Sequence, residues 1–487
     1  MSATANRLAM MLVILLLSSC VQGQDYRRPQ VDVPDGWSRM TNTANTSIVS
    51  DRQPEAEWWK TFQNDELSGL IERALQQNHD VKRALARVLE GRAFVMSAAA
   101  GLYPQMNLSS SYSNIAVSKN TLAGLGLATG RQPGSQVFAT PGTSYDLWNS
   151  ALDLRWEIDF WGRIRRGREA AAADAQAIEQ DARAVALTLI SDVGQSYFRI
   201  RELDEQLGIA TRALTVRQEY LEIIQKRASV GLASDFDVKR TEVLVAEAAG
   251  LIPDLARTRT VELHRLEVLT GMSPGSLSLH SKALRAVVIQ PNIPVGLPSQ
   301  LLERRPDILQ AESTLMASNA RIGQARAYFF PTLSITGQGG LQSVEFSNWF
   351  TGSSSNYSIG PSIVLPIFQG GTNLARLDSA ESRHVQMLES YQQTILQAFR
   401  EVADLLTSLS ARAEQLARQR EQLSAAQESV RLSDVRYRKG LVTYLDVLDA
   451  QRTALAAETQ LVLTERTRLT DMVSLFKALG GGWAMQP

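Results

Sequence analysis

Leu152-Asp153-Leu154-Arg155-Trp156-Glu157-Ile158-Asp159-Phe160 alternates apolar and charged side chains without a break. Period two is the repeat of a pleated strand, so the odd and even positions face opposite ways: five greasy side chains on one side, four charges on the other. Directly afterwards, residues 162–229 contain no proline and abundant alanine. They predict one helix of ~100 Å at 1.5 Å per residue. A rod of that length cannot bury its apolar stripe inside a compact domain and must pack in a coiled coil or a helical tube.

The same order of elements returns later in the chain. At an offset of 209 residues, Glu205-Gln206-Leu207 matches Glu414-Gln415-Leu416, Gly231-Leu232 matches Gly440-Leu441, Asp237-Val238 matches Asp446-Val447, and Gly271 matches Gly480. Upstream the offset is 227, pairing Asp80 with Asp307 and Tyr103-Pro104 with Phe330-Pro331; the extra 18 residues fall in the Gly/Ala/Thr-rich stretch 121–142. One register held this far marks a tandem duplication.

The first repeat, 65–271, predicts a helix over 65–101, strands about 105–117 and 143–160, a long helix 162–229 and a return helix 235–270 that Pro253 should kink. The second, 299–480, predicts a helix over 299–328 with Pro306 near its start, strands about 332–344 and 356–368, a long helix 371–439 and a return helix 444–479. Around them lie a segment 20–64, a linker 272–298 and a tail 481–487.

Composition removes several classes of function. Fifty Lys+Arg balance fifty Asp+Glu, so no basic excess points to nucleic acid, and four His with one Cys leave little for a metal cluster or any intrachain disulfide. No nucleophile–base pair suggests an enzyme. Arg7, the apolar run 8–17 and Leu17-Ser18-Ser19-Cys20 have the layout of a signal peptide, 1–19, that ends at the only cysteine. This resembles the bacterial lipobox, which implies a diacylglycerol on Cys20 and no other cofactor; a buried thiol in an ordinary secreted protein is the alternative. Val21 after the cysteine favours the outer membrane in the lipoprotein sorting rule.

Four strands per chain are too few to close on themselves. In lipid, an open edge leaves N–H and C=O groups unpaired at several kcal/mol each, and bacterial barrels begin near eight strands. Strands placed in a membrane therefore require several chains to share one barrel. A half-exposed sheet on a water-soluble domain fits the alternation equally well, as in a poreless periplasmic coiled-coil lipoprotein.

Arg305-Pro306-Asp307-Ile308, Tyr328-Phe329-Phe330-Pro331, Trp161-Gly162, Pro366-Ile367-Phe368-Gln369-Gly370-Gly371, Tyr437-Arg438-Lys439-Gly440, Leu448-Asp449-Ala450-Gln451-Arg452 and Ala478-Leu479-Gly480-Gly481-Gly482-Trp483 occur in one order along nearly the whole chain. As a set, with the lipobox start, they resemble the TolC/OprM-like outer-membrane factors, in the NodT-type branch that serves RND tripartite pumps. The resemblance implies a mainly α protein with a β-barrel portion. A homotrimer would build a 12-stranded transmembrane barrel over a long periplasmic α-helical barrel, lipid-anchored in the outer membrane of a Gram-negative bacterium. It implies a periplasmic adaptor (membrane fusion protein) and an inner-membrane RND transporter as partners, and a passive exit duct for multidrug efflux as function. The same duct serving an ATP-driven exporter or type I secretion is the alternative.

The rod-to-helix turns attract most interest. Gly231 and Gly440 stand where a left-handed helix end is easiest, and Ser234-x-x-Asp237 and Thr443-x-x-Asp446 look like capping boxes with Asp in place of Glu. Capping and gating are both open for Asp237 and Asp446. Asp449 lies one turn deeper, where the first repeat has Arg240. The resemblance implies an apolar constriction at Leu445 and acidic rings at Asp446 and Asp449, with raised pKa values and cation binding where six carboxylates crowd in a trimer. It also implies a closed-state latch between Tyr437 and Asp237, while the latch Arg of some relatives falls on Val442. Gly124-x-Gly126-x-x-x-Gly130 is a poor phosphate loop, and His264 and His384 are expected on helix faces.

Overall fold

The structure, a computed structural model, describes residues 21–37, 49–50, 57–116, 118, 144–279, 284 and 293–481. Cys20 with its signal peptide, the glycines of the 121–142 insertion and parts of 20–64, 272–298 and 481–487 lie outside the described residues. Six strands and eight α-helices are described: β1 Val49–Ser50, α1 Asp65–Gln77, α2 His79–Ala100, β2 Gln105–Ala116, β3 Ser144–Ile158, α3 Arg163–Ser229, α4 Asp235–Leu269, β4 Ile293–Pro294, α5 Pro298–Arg304, α6 Pro306–Ala327, β5 Thr332–Ser343, β6 Ser355–Val364, α7 Thr372–Arg438 and α8 Tyr444–Ala478. The chain divides into two units.

The first unit comprises Met1–Arg28, Gly91–Ala175 and Thr314–Met387 and carries a four-stranded antiparallel sheet in the order β2-β3-β5-β6. Its register separates the faces. Met106 lies opposite Leu154, Leu108 opposite Leu152 and Tyr112 opposite Trp148; Leu333 and Ile335 continue this row from Ile158 and Trp156, and Tyr357, Ile359 and Ile363 complete it. On the other face Asn107, Asp153, Gln338 and Ser358 form one row, and Asp153 accepts hydrogen bonds from Ser109 at 3.1 Å and Gln338 at 3.0 Å. The apolar row is largely bare: Leu108 is 78% and Ile359 70% exposed. Tyr112, Trp148, Phe346 and Trp349 cluster at one end of the sheet, and Trp161 stacks on Phe330 at 4.6 Å near the other. An apolar band between aromatic clusters is the outer face of a membrane strand set.

Two strands end earlier than their sequence pattern predicts. β3 stops at Ile158 because the Asp159 carboxylate accepts from the N–H groups of Ile164 at 3.0 Å and Arg165 at 2.7 Å, capping α3. β6 stops at Val364, two residues before Pro366, which has no N–H for a ladder.

The second unit comprises Pro29–Glu90, Gln176–Ser313 and Leu388–Pro487. Its core is aromatic. Trp58 stacks on Phe476 at 4.9 Å, Phe62 meets Phe198 edge-on, and buried Tyr197 donates to Glu66 at 3.0 Å. Arg201, 1% exposed, pairs with Glu66 and with Asp204 at 3.0 Å, so its buried charge is compensated. Along the second repeat Leu416, Leu423 and Ala426 of α7 pack on Ala457 and Leu461 of α8, a coiled-coil seam. β1 pairs parallel with β4, joining segments far apart in sequence.

The single helix predicted over 65–101 is two helices here, and so is that over 299–328. Asn78 leaves the helical region (ψ 133°), and its side-chain oxygen accepts from Asp80 N–H at 2.7 Å and Val81 N–H at 3.2 Å to start α2. Arg305 is extended (ψ 120°), as the residue before a proline prefers, and Pro306 opens α6. Pro253, in contrast, lies inside α4 without ending it. No described helix is long and apolar enough to cross a membrane.

Candidate gate at the two helix turns

Both long helices end in one hydrogen-bonded motif. Leu232 N–H reaches back to Arg227 C=O at 2.8 Å and Gly231 N–H to Ala228 C=O at 3.0 Å; Leu441 does the same to Arg436 at 3.0 Å and Gly440 to Tyr437 at 2.9 Å. These six-to-one and five-to-two bonds satisfy orphan carbonyls only if the intervening residue turns left-handed. Gly231 (φ +76°) and Gly440 (φ +72°) do so, with no atom near where a Cβ would stand.

The return helices then start on their capping aspartates. The Asp237 carboxylate accepts from Ser234 N–H at 3.2 Å and Ser234 Oγ at 2.7 Å, while Ser234 Oγ accepts from Asp237 N–H at 3.2 Å, a complete capping box. The Asp446 carboxylate accepts from Thr443 N–H at 2.8 Å and Thr443 Oγ1 at 2.7 Å. Side-chain and backbone hydrogen bonds from Ser234 hold Asp237 below the ordinary carboxylate range, and those from Thr443 do the same for Asp446. Within one chain the shift is therefore opposite to the raised pKa expected from crowding, which needs acids from other copies. Asp449 is exposed, one turn beyond Asp446, and Leu445 is 50% exposed beside them.

Tyr437 and Asp237 are not hydrogen-bonded to each other among the described residues. Tyr437 is buried against Tyr220, Ile224 and Val447, with the Arg227 guanidinium 4.7 Å above its ring. Val442 is a half-buried neighbour of that cluster. In this cluster Tyr220 donates its hydroxyl to Asp434. Neither residue stands out by motif. One signal was present: at the 209-residue offset Tyr220 meets Ser429 and Asp434 meets Gln225, so both break the repeat as Asp449 does. Gly231 and Gly440 shape the turns, and His384 contacts Ser318 at 2.9 Å within the first unit.

A duplicated chain whose sheet is apolar on one face and polar on the other, with 67-residue helices and matched turns, defines the membrane-channel class of strand-and-rod proteins. A family model described as outer membrane efflux protein matches residues 70–272 and 297–481, and the chain belongs to this family. It is an outer-membrane component of an efflux system. It is 32% identical over 473 residues to the cation efflux system protein CusC of Escherichia coli K12, covering 96% of this chain and 98% of that protein. It is 32% identical to outer membrane protein OprJ of Pseudomonas aeruginosa, over 97% of this chain and 95% of OprJ. The solved outer-membrane channel OprN superimposes with a TM-score of 0.84 at 29% identity, covering 95% of this chain and 99% of that one.

Proposed function

We propose that three copies of this chain form the exit duct of a tripartite efflux system, a passive conduit from periplasm to exterior without enzymatic activity. The observation that carries the proposal is the four-stranded sheet, whose outer strands β2 and β6 each have an edge unpaired among the described residues while Leu108, Tyr357, Ile359 and Ile363 stand exposed. Unpaired edges and bare apolar side chains are both costly in water; joining β6 of one copy to β2 of the next removes the edges and turns the apolar row to lipid. Twelve strands then close a barrel with Asp153 and Gln338 facing its lumen. Cys20 carries the lipid anchor, as the name of a 32% identical relative, the probable outer membrane lipoprotein SilC of Salmonella typhimurium, supports.

The partners are a periplasmic adaptor and an inner-membrane RND transporter. Relatives named for cation, pyoverdine and antibiotic efflux are 31–32% identical to this chain, which fits a duct that leaves the choice of cargo to the transporter. Leu445, Asp446 and Asp449 form the constriction, and the paired acids favour cations there. Three measurements test the proposal. Detergent-extracted protein should have the mass of a trimer and conduct ions across a planar bilayer, and deletion should sensitise cells to drugs or metal ions. A monomer that remains soluble without detergent after Cys20→Ser would refute it in favour of a poreless lipoprotein.

A further inference from the structure

The duplication closes one junction between repeats inside the first unit and leaves its counterpart open. α6 of the second repeat lies against α3 of the first. Arg321 of α6 pairs with Asp174 of α3. A Cβ on Gly167 would come within 2.9 Å of the Gln324 side chain, and one on Gly323 within 3.1 Å of the Arg166 side chain. The two offsets carry α3 onto α7 and α6 onto α2. Arg166, Gly167 and Asp174 thus become Ala375, Arg376 and Arg383, while Arg321, Gly323 and Gln324 become Phe94, Met96 and Ser97. In one chain these images stand uncovered. Phe94 is 61% and Met96 74% exposed, and Arg383 is exposed and makes no hydrogen bond or ion pair among the described residues. A cavity of about 890 Å³ opens beside α7, lined on that helix by Arg376, Ser379, Ala380 and Arg383. Those four are the images of Gly167, Ala170, Ala171 and Asp174, which line one space together with Arg321 and Gln324 of α6.

We propose that this cavity is the socket for α2 of a second copy, with Phe94 of the partner subunit against the Arg383 guanidinium and Met96 of the partner subunit over Ala375. The inference rests on the proposed trimer. A chain of two repeats has no third one to cover α7 as α6 covers α3, so the image of α6 has to come from another copy. Sizes invert between the two junctions: long Arg166 faces Gly323, and short Ala375 would face Met96, so each junction holds one long and one short side chain. The room is there because the segment after Cys20 occurs once per chain. At α3, Arg166 donates to Gln22 C=O at 3.0 Å and to Gly23 C=O at 2.9 Å, and a Cβ on Gly162 would meet Val21 at 2.6 Å. At Gly371, the image of Gly162, nothing lies within 4 Å of a Cβ. Chemistry is matched as well: the Arg321–Asp174 ion pair becomes a guanidinium facing an aromatic ring, which attracts a cation. Burying Phe94 and Met96 removes apolar surface from water at the same stroke.

The test is cysteine cross-linking of the full-length protein in isolated outer membranes. Phe94→Cys combined with Arg383→Cys should, on oxidation, give products of dimer and trimer mass on denaturing gels that reductant returns to monomer, while each single variant stays at monomer mass. A double variant found only at monomer mass overturns the socket. The mass of the untreated parent in detergent separates the two readings: a trimer whose double variant does not cross-link refutes the socket and leaves the trimer standing, whereas a monomer refutes both. A charge exchange tests the pairing itself. Phe94→Arg sets two guanidiniums face to face and should lower the temperature at which the trimer dissociates; adding Arg383→Asp rebuilds the Arg321–Asp174 chemistry across two copies and should restore it. No fall for Phe94→Arg, or a fall that Arg383→Asp does not relieve, overturns the pairing of Phe94 with Arg383.

Discussion

Asn78 and Arg305 make the same contact in the two repeats although one is a neutral amide and the other a cation. Asn78 Nδ2 donates to Leu269 C=O at 3.0 Å, and Arg305 Nη1 donates to Ala478 C=O at 3.0 Å. The donors are 227 residues apart and the acceptors 209, the two offsets of the duplication. Each fastens the break between two short helices onto the last turn of a return helix. Close by, a Cβ on Gly271 or Gly480 would come within 3.0 Å of the backbone of Gln77 or Arg304, so those glycines let the chains approach.

Truncating these donors should loosen the second unit by different amounts. Asn78→Ala loses a cap and a carbonyl bond, about 1 kcal/mol. Arg305→Ala also strands Asp307 and Glu401, both within 2.8 Å of its guanidinium, and should cost about 2 kcal/mol. Urea unfolding followed by helical circular dichroism measures both. A loss for Arg305→Ala no greater than for exposed Arg418→Ala would contradict the shared role.

Gly340→Val should abolish the joined sheet while sparing the helices. A Cβ there would meet Ser150 O at 2.1 Å and Ala151 Cα at 2.7 Å, forcing β5 away from β3. The variant is expected to lose heat-modifiable migration on denaturing gels yet keep the helical signal. Retention of the parent's migration would show that the sheet tolerates the side chain.

Asp446→Ala with Asp449→Ala should widen conductance and weaken cation preference in planar bilayers, because it removes six carboxylates from a trimer's constriction. Unchanged selectivity would restrict Asp446 to capping α8 and leave Asp449 without a role in conduction.

The turns should be insensitive to pH across the neutral range. Asp237 and Asp446 have folded pKa values below their unfolded ones, so the stability they contribute is complete above the ordinary carboxylate pKa of about 4 and lost as pH falls below it. Amide-exchange protection of Ser234 and Thr443, both bonded to these carboxylates, should hold from pH 8 to about pH 5 and fall only near pH 4 and below. Loosening near pH 6 would mean that crowding by acids from neighbouring copies outweighs the caps.

Gly440→Ala should cost about 1–2 kcal/mol through backbone strain alone, since φ is +72° and no atom obstructs a Cβ. Limited proteolysis at this turn should accelerate relative to the parent, while Gly69→Ala, in the interior of α1, should not destabilise. Equal rates for Gly440→Ala and the parent would show that the left-handed end can be replaced.

Much of this protein is local in origin and therefore legible in one dimension. Leu152 to Ile158 alternate because a pleat demands it; residues 163–229 and 372–438 are helical because nothing in them opposes it; Gly231 and Gly440 mark turns because only glycine enters the left-handed region freely. The duplication followed from register alone. The helix breaks were less legible: Asn78 reads as one polar residue in a helical run until its side chain is seen accepting from Asp80 and Val81.

The tertiary structure decided what depends on residues meeting across long separations. Period two assigns faces but not neighbours, so only the ladder between Leu154 and Gly337 places β3 beside β5 and merges two hairpins into one sheet. The resemblance implies a latch between Tyr437 and Asp237; within one chain Tyr437 packs against Tyr220, Ile224 and Val447, Asp237 caps its own helix, and Tyr220 meets Asp434 over 214 positions. Propensity and periodicity act over a few residues. Hydrogen-bond partners across the core are chosen by geometry that exists only once the chain has folded.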